Sequence, residues 1–238
     1  MRARSIESTR RALFAGLGGD YDRWATVLSL GQDPRWRRAM VSHVAVRADQ
    51  HVLDVACGTG MVSRALVARY GCRVTGIDQS GEMLAGARSR LAGHPAEAAI
   101  TLVEGRAEAL PFADGSFDAL TATYLLRYVD DVEATLRELV RVVAPGGPVG
   151  YLEFALPPYP VRPLWDAYTG IGLPLAGRLI APAWEDVGRF LRGSIRSFAR
   201  RYPARELYAA FVRAGLVDVS YCRMSLGGGI VVWGRRAS

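Results

Sequence analysis

Residues 52–60 read VLDVACGTG: an apolar run broken by one carboxylate and closed by a glycine turn, after which apolar residues recur at helical spacing. A buried strand that passes through glycines directly into a helix is the opening unit of a parallel sheet wound with helices, and the turn leaves backbone N–H groups aimed at whatever sits at the helix N-terminus. The alternation continues. Strands are expected at 51–56, 72–78, 99–103, 117–122 and 149–154, with helices over 61–70, from near Ser80, and over 132–143. In the last of these helices Val132, Leu136, Leu139, Val140 and Val143 fall on one face, and Pro145-Gly146-Gly147 ends it.

Beyond 155 the pattern changes. Residues 156–183 are rich in Pro and Gly and read as an insertion over the sheet, while a helix is expected over 184–202. A helix at about 204–214 and strands at 216–222 and 230–233 close the chain, the last two too close together for a helical crossover and so an antiparallel hairpin. The expected fold class is α/β, a Rossmann-like three-layer sandwich with a mostly parallel seven-stranded sheet, N-terminal helices and an inserted helical cap. It is read as a single domain, divided into an N-terminal helical segment (1–48), a cofactor-binding core (49–155), a cap insertion (156–202) and a C-terminal helix with its hairpin (203–238).

Charge narrows the partners. The net charge is +7, yet the chain has no Lys and no Asn and all 30 basic residues are Arg, the signature of GC-rich codons. Because these arginines are dispersed and no recognition module is appended, a nucleic-acid partner is not expected. No run of about 18 apolar residues occurs and the N-terminus is charged, so neither a membrane span nor a leader is expected. The three cysteines (Cys57, Cys72, Cys222) form no CxxC, which predicts no metal site and fits a reducing cytoplasm.

The turn is the predicted cofactor site. Gly58 and Gly60 allow close approach to the main chain, Asp54 lies four residues before Gly58, and Asp78 ends the second strand 20 residues after it, where a carboxylate can accept from both ribose hydroxyls. A dinucleotide enzyme would share that carboxylate. Here Ser63 replaces the third glycine of GxGxxG, and Asp54 is placed to orient the turn and an ammonium group, which favours S-adenosyl-L-methionine.

The chain also resembles the C-methyltransferases of menaquinone and ubiquinone biosynthesis. The resemblance rests on Asp20-Tyr21-Asp22 followed by VLSLGQDPRWRRA, on Ala107-Glu108-Ala109-Leu110-Pro111-Phe112, on Leu126-Arg127, on Pro145-Gly146-Gly147 and Leu152-Glu153-Phe154, and on Phe190-Leu191, Ser194-Ile195 and the terminal LGGGIVVWGRR. It implies donor contacts from Thr59, Asp78, Arg106, Ala107 and Thr123, and a prenylated quinol of the demethylmenaquinol kind as acceptor. It also implies acceptor-side roles for Arg127 and for Tyr21, which could close over the donor. Arg106, Tyr128 and Trp233 depart from the family pattern, and the last two are expected near the acceptor.

Methyl transfer from an activated donor needs positioning, exclusion of water and an electron-rich acceptor, not a metal. Arg127 is too basic to serve as a proton acceptor, so its expected role is electrostatic, toward a phenolate; the alternative is a salt bridge with Asp130 or Asp131. His43, His51 and His94 have no evident partner, and Glu153 is unassigned. Arg189, Arg192, Arg196 and Arg200 give the helix of 184–202 a basic side, read either as peripheral contact with an anionic membrane or as the solvated back of a cover over the site. A homodimer is left open. The alternatives to quinol methylation are an O- or N-methyltransferase of a small phenolic or polyketide metabolite and a non-catalytic S-adenosylmethionine-binding protein.

Overall fold

A computed structural model describes residues 21–180 and 182–238, with side-chain surroundings described for all of these except 21, 179–180 and 182–189. Seven strands form one sheet: β1 (His51–Val55), β2 (Arg73–Asp78), β3 (Ile100–Glu104), β4 (Ala119–Thr123), β5 (Pro148–Phe154), β6 (Leu216–Met224) and β7 (Gly229–Arg236). Their spatial order is β3-β2-β1-β4-β5-β7-β6. The first five are parallel to one another. β7 inserts antiparallel between β5 and β6, as the short 225–228 connection requires. The expected sheet and its terminal hairpin are therefore observed, and the order reverses at β1/β4, where an α/β sheet opens a crevice for ligand.

The helices follow the apolar stripes. α1 (Tyr21–Leu28) and α2 (Gln32–His43) precede the sheet; α3 (Met61–Tyr70), α4 (Gly81–Leu91) and α5 (Val132–Arg141) connect its parallel strands; α6 (Arg162–Ala167), α7 (Leu173–Ile180) and α8 (Pro182–Arg201) make up the insertion, and α9 (Ala204–Arg213) returns to β6. Ser80 caps α4, accepting from the Met83 N–H at 3.3 Å, and Asp131 caps α5, accepting from that of Ala134 at 3.0 Å. The pleat of β1 divides the core: Leu53 and Val55 face Leu136, Leu207 and Phe211, while Val52 faces Trp36, Met40 and Leu66.

The insertion is more helical than its composition predicts. From Arg162 to Ile180 the chain runs helically through α6, a π-helical turn at Tyr168–Gly172, and α7. Proline is accommodated in the first turn of α6, where its missing N–H removes no bond. Gly170 leaves the space that the Arg192 guanidinium fills from α8, so the glycine serves helix packing and not a loop.

Candidate active site

The donor side is built from the end of β1. After Val55 the chain turns through Ala56, Cys57 and Gly58, with left-handed φ at Ala56 (55°), Gly58 (55°) and Gly60 (77°), and α3 begins at Met61. Gly60 needs no Cβ at such a φ, and at Gly58 a Cβ would meet nothing within 4 Å, so the main chain there faces open space. Asp78 at the end of β2 accepts from the Gly58 N–H at 2.8 Å and from the Ser80 N–H at 2.9 Å, tying the turn to the start of α4. A cavity of about 990 Å³, counting its open mouth, lies against these groups. Of the residues expected around the donor, Gly58, Thr59, Asp78, Ala107 and Thr123 line it.

Three expectations are corrected. Asp54 does not reach the cavity: it is fully buried beneath the turn, where Ser63 Oγ donates to it at 2.6 Å and Thr121 Oγ1 at 2.9 Å. Burial lifts its carboxyl to a pKa of about 6, with the two hydroxyls pulling the other way. Its role is to brace strand against helix, which accounts for the serine at the third glycine position. The Arg106 side chain turns outward to Glu108 at 3.3 Å, and the cavity wall at this point is Ala107. Trp233 lies opposite Gly150, in the half of β5 away from the cavity, and stacks on His43 with ring centroids 3.6 Å apart.

Arg127 and Tyr128, which also line the cavity, occupy a short 3-10 turn (Leu126–Tyr128) after β4. The Arg127 side chain is 3% exposed; Nη1 donates to Glu153 Oε1 at 2.8 Å and Nη2 to the Tyr128 hydroxyl at 2.9 Å, while Nε is buried without a hydrogen-bond partner. Its ion pair is thus with Glu153 across the sheet, not with Asp130 or Asp131. The Tyr151 hydroxyl donates to Glu153 Oε2 at 2.7 Å and accepts from the Leu126 N–H at 3.0 Å, so the carboxylate is held from both sides. Burial opposes the charge on Arg127, but the neighbouring Tyr128 hydroxyl and Glu153 carboxylate outweigh it and hold the guanidinium charged. Tyr128 stacks on Phe190 of α8, with centroids 6.0 Å apart, which joins the cap to this wall.

Two further charged residues were not singled out in the sequence. Arg37, on α2, lines the cavity, bonded to Asp33 through Nε at 2.8 Å and lying over the Tyr124 ring. Asp22, on α1, accepts from the Thr59 hydroxyl and pairs with Arg64 at 3.0 Å and Arg90 at 3.3 Å, fastening α1 onto the glycine turn. Both lie in motifs already quoted, Tyr21-Asp22 and Pro34-Arg35-Trp36-Arg37, and that is the only signal that could have found them. Tyr21 begins α1, but its side chain lies outside the described residues, as do Asp20 and Arg189. Of the arginines on α8, Arg200 is exposed, whereas Arg196 pairs with Asp166 at 2.6 Å and Arg192 is packed over Gly170. The basic side is therefore not a continuous solvent-facing stripe.

A model of the ubiE/COQ5 methyltransferase family matches residues 3–236. The chain is 38% identical to the ubiquinone/menaquinone biosynthesis C-methyltransferase UbiE of Desulfotalea psychrophila, over 93% of this chain and 88% of that protein. It is also 38% identical to the demethylmenaquinone methyltransferase of Clavibacter sepedonicus, over 91% of this chain and 85% of that protein. Among solved structures it shares its fold with geranyl diphosphate C-methyltransferase from Streptomyces coelicolor, solved with Mg2+, geranyl diphosphate and S-adenosyl-L-homocysteine (TM-score 0.61, 15% identity, 86% of this chain and 79% of that one). It likewise resembles phosphoethanolamine N-methyltransferase 2 of Haemonchus contortus, solved with phosphomonomethylethanolamine and S-adenosylhomocysteine (TM-score 0.63, 14% identity, 86% of this chain and 53% of that one).

Proposed function

This chain belongs to the ubiE/COQ5 methyltransferase family, and from that premise we propose that it C-methylates a demethylmenaquinol-like prenylated quinol. The observation that carries the acceptor assignment is the buried arginine pair. Arg127 lines the same cavity as the glycine turn, with its charge balanced by Glu153 at 2.8 Å. A neutral quinol enters such a site without a charge mismatch. As negative charge develops on its oxygen, the fixed guanidinium is worth more to the transition state than to the ground state.

The residues present fit S-adenosylmethionine: an open glycine cradle, a carboxylate at the end of β2 and the N-terminus of α3 surround one end of the cavity. Bound there, the cofactor supplies an already activated methyl group. Asp78 would accept from the ribose hydroxyls, Ala107 would bound the adenine, and Thr59 and Thr123 would flank the amino-acid end. Tyr128 and Phe190 exclude water from the acceptor side and leave Arg127 to meet the quinol oxygen.

The assay that tests this reading supplies labelled donor with a short-chain demethylmenaquinol and, separately, with simple phenols. Label is expected on a ring carbon of the quinol. Label on oxygen, or transfer only to the phenols, would overturn it.

A prenylated acceptor resides in a bilayer, and we place the membrane contact on the outer face of the insertion. Leu164 (74% exposed), Ile171 (62%) and Leu175 (57%) lie along one side of the α6–α7 helix, which ends at exposed Arg178. Asp166 is turned inward to Arg196, so this face presents apolar and basic groups and suits an anionic bilayer surface. Among the described residues no helix is long and apolar enough to cross a membrane. Ile171→Glu with Leu175→Glu should weaken association with anionic vesicles at least about tenfold, since each leucine-sized side chain contributes about 1.5–3 kcal/mol on burial. Unchanged cosedimentation of that variant would remove the contact from this face.

A further inference from the structure

We propose that Arg37 binds the carboxylate of the donor's amino-acid end, so that the two arginines of the cavity divide the substrates between them. The inference deepens the reading of this cavity as an S-adenosylmethionine site and does not depend on the identity of the acceptor.

The two guanidinium groups share one ring, Arg37 at 5.2 Å and Arg127 at 5.4 Å from the Tyr124 centroid, and are distinguished by their other partners. Arg127 is fastened to Glu153 on β5 and to Tyr128, which stacks on Phe190 of the cap. Arg37 reaches the cavity from α2 and approaches Thr123 Oγ1 at the end of β4 at 3.4 Å. β4 is the strand paired with β1, from which the turn springs. Arg37 is also close enough to buried Asp54 of β1 to lower its pKa. It therefore stands on the donor side, within the wall that Thr59 and Thr123 share.

Its geometry is also suited to a carboxylate. The Nε bond to Asp33 at 2.8 Å fixes the plane of the guanidinium, and Asp33 is itself held by the Tyr124 hydroxyl at 2.6 Å. Arg37 is 8% exposed and lies over the Tyr124 ring, so it is oriented before any ligand arrives and loses little freedom on binding. The donor's amino-acid end is a zwitterion, and burying its carboxylate in a cavity of low dielectric requires a paired, hydrogen-bonded cation. Among the described residues, the charged ones lining the cavity are Arg37, Asp78, Glu108 and Arg127. With Arg127 on the acceptor side, Arg37 is the cation that meets this need.

The test compares two ligands that differ only in the group at issue, S-adenosylmethionine and decarboxylated S-adenosylmethionine. Calorimetry measures their dissociation constants with the wild type, Arg37→Lys and Arg37→Met. Arg37→Met should weaken S-adenosylmethionine between about 10- and 100-fold while moving the decarboxylated ligand by no more than about twofold, because only charge-assisted bonds to the carboxylate are lost. Arg37→Lys keeps a cation without the planar fork and should fall between, which also preserves the test if the methionine variant does not fold. Equal weakening of both ligands would make Arg37 a structural residue, and no weakening of either would take it out of the donor site. A protein that binds both ligands as expected yet methylates no quinol would leave this inference standing and overturn the acceptor assignment alone.

Discussion

Arg127→Met is expected to lower turnover by on the order of 10²- to 10³-fold, the range for removing one fixed donor to developing negative charge, with donor affinity nearly unchanged. The same substitution strands the Glu153 carboxylate, which is buried and bonded to Arg127 at 2.8 Å, and leaving such a charge unpaired costs about 3–5 kcal/mol of stability. Two effects are thus superimposed in the single variant. Combining Arg127→Met with Glu153→Gln removes the stranded charge while Tyr151 can still donate to the new amide, so most of the stability should return and the rate should not. Arg127→Lys should lower the rate only in part. Thermal melts read the first quantity and single-turnover assays the second. Wild-type turnover by the double variant would take Arg127 out of the reaction, and loss of donor binding together with activity would make it a structural residue of the whole cavity.

Asp78→Ala should weaken S-adenosylhomocysteine by about 2–4 kcal/mol, measured calorimetrically, through the loss of two ribose bonds to a charged acceptor. The structure adds a second contribution. Asp78 also accepts from the N–H groups of Gly58 and Ser80, so the alanine variant loosens the turn on which the donor rests. Asp78→Asn retains one acceptor oxygen for that tie and should lose less affinity than Asp78→Ala. Equal affinity of the wild type and both variants would remove the carboxylate from the ribose site.

The parallel strands were legible because strands buried on both faces read as apolar runs, and the turn was legible because its backbone at Gly58 and Gly60 is one that L side chains resist. Asp54 was expected to orient both the turn and an ammonium group, and only the first of these agrees with its burial beneath the turn. It shares its pleat direction with Val52, toward the layer of α3, so the alternation places it with Ser63 and away from the donor. Trp233 failed for a reason of direction: β7 is antiparallel and starts at the ligand end with Gly229, so four residues carry it about 13 Å down the strand. The Arg127–Glu153 pair spans 26 residues and exists only because β4 and β5 are neighbours; nearby Asp130 and Asp131 were the natural sequence candidates. In the insertion, the Pro and Gly content marked a break in the strand-helix alternation, but Gly170 makes room for Arg192 and the proline of α6 sits in the first turn, where a helix tolerates it.

The N-terminal helix, the glycine turn and the insertion are joined into a single frame beside the cavity. Asp22 pins α1 to the glycine turn, the Tyr168 hydroxyl of the insertion donates to the Leu28 carbonyl at the other end of α1, and α8 rests through Phe190 on Tyr128. Helix and insertion therefore share a joint, with the glycine turn fastened to one end of α1 and the insertion to the other. Movement at the donor turn and movement of the cap over Tyr128 are thereby mechanically linked through one short helix.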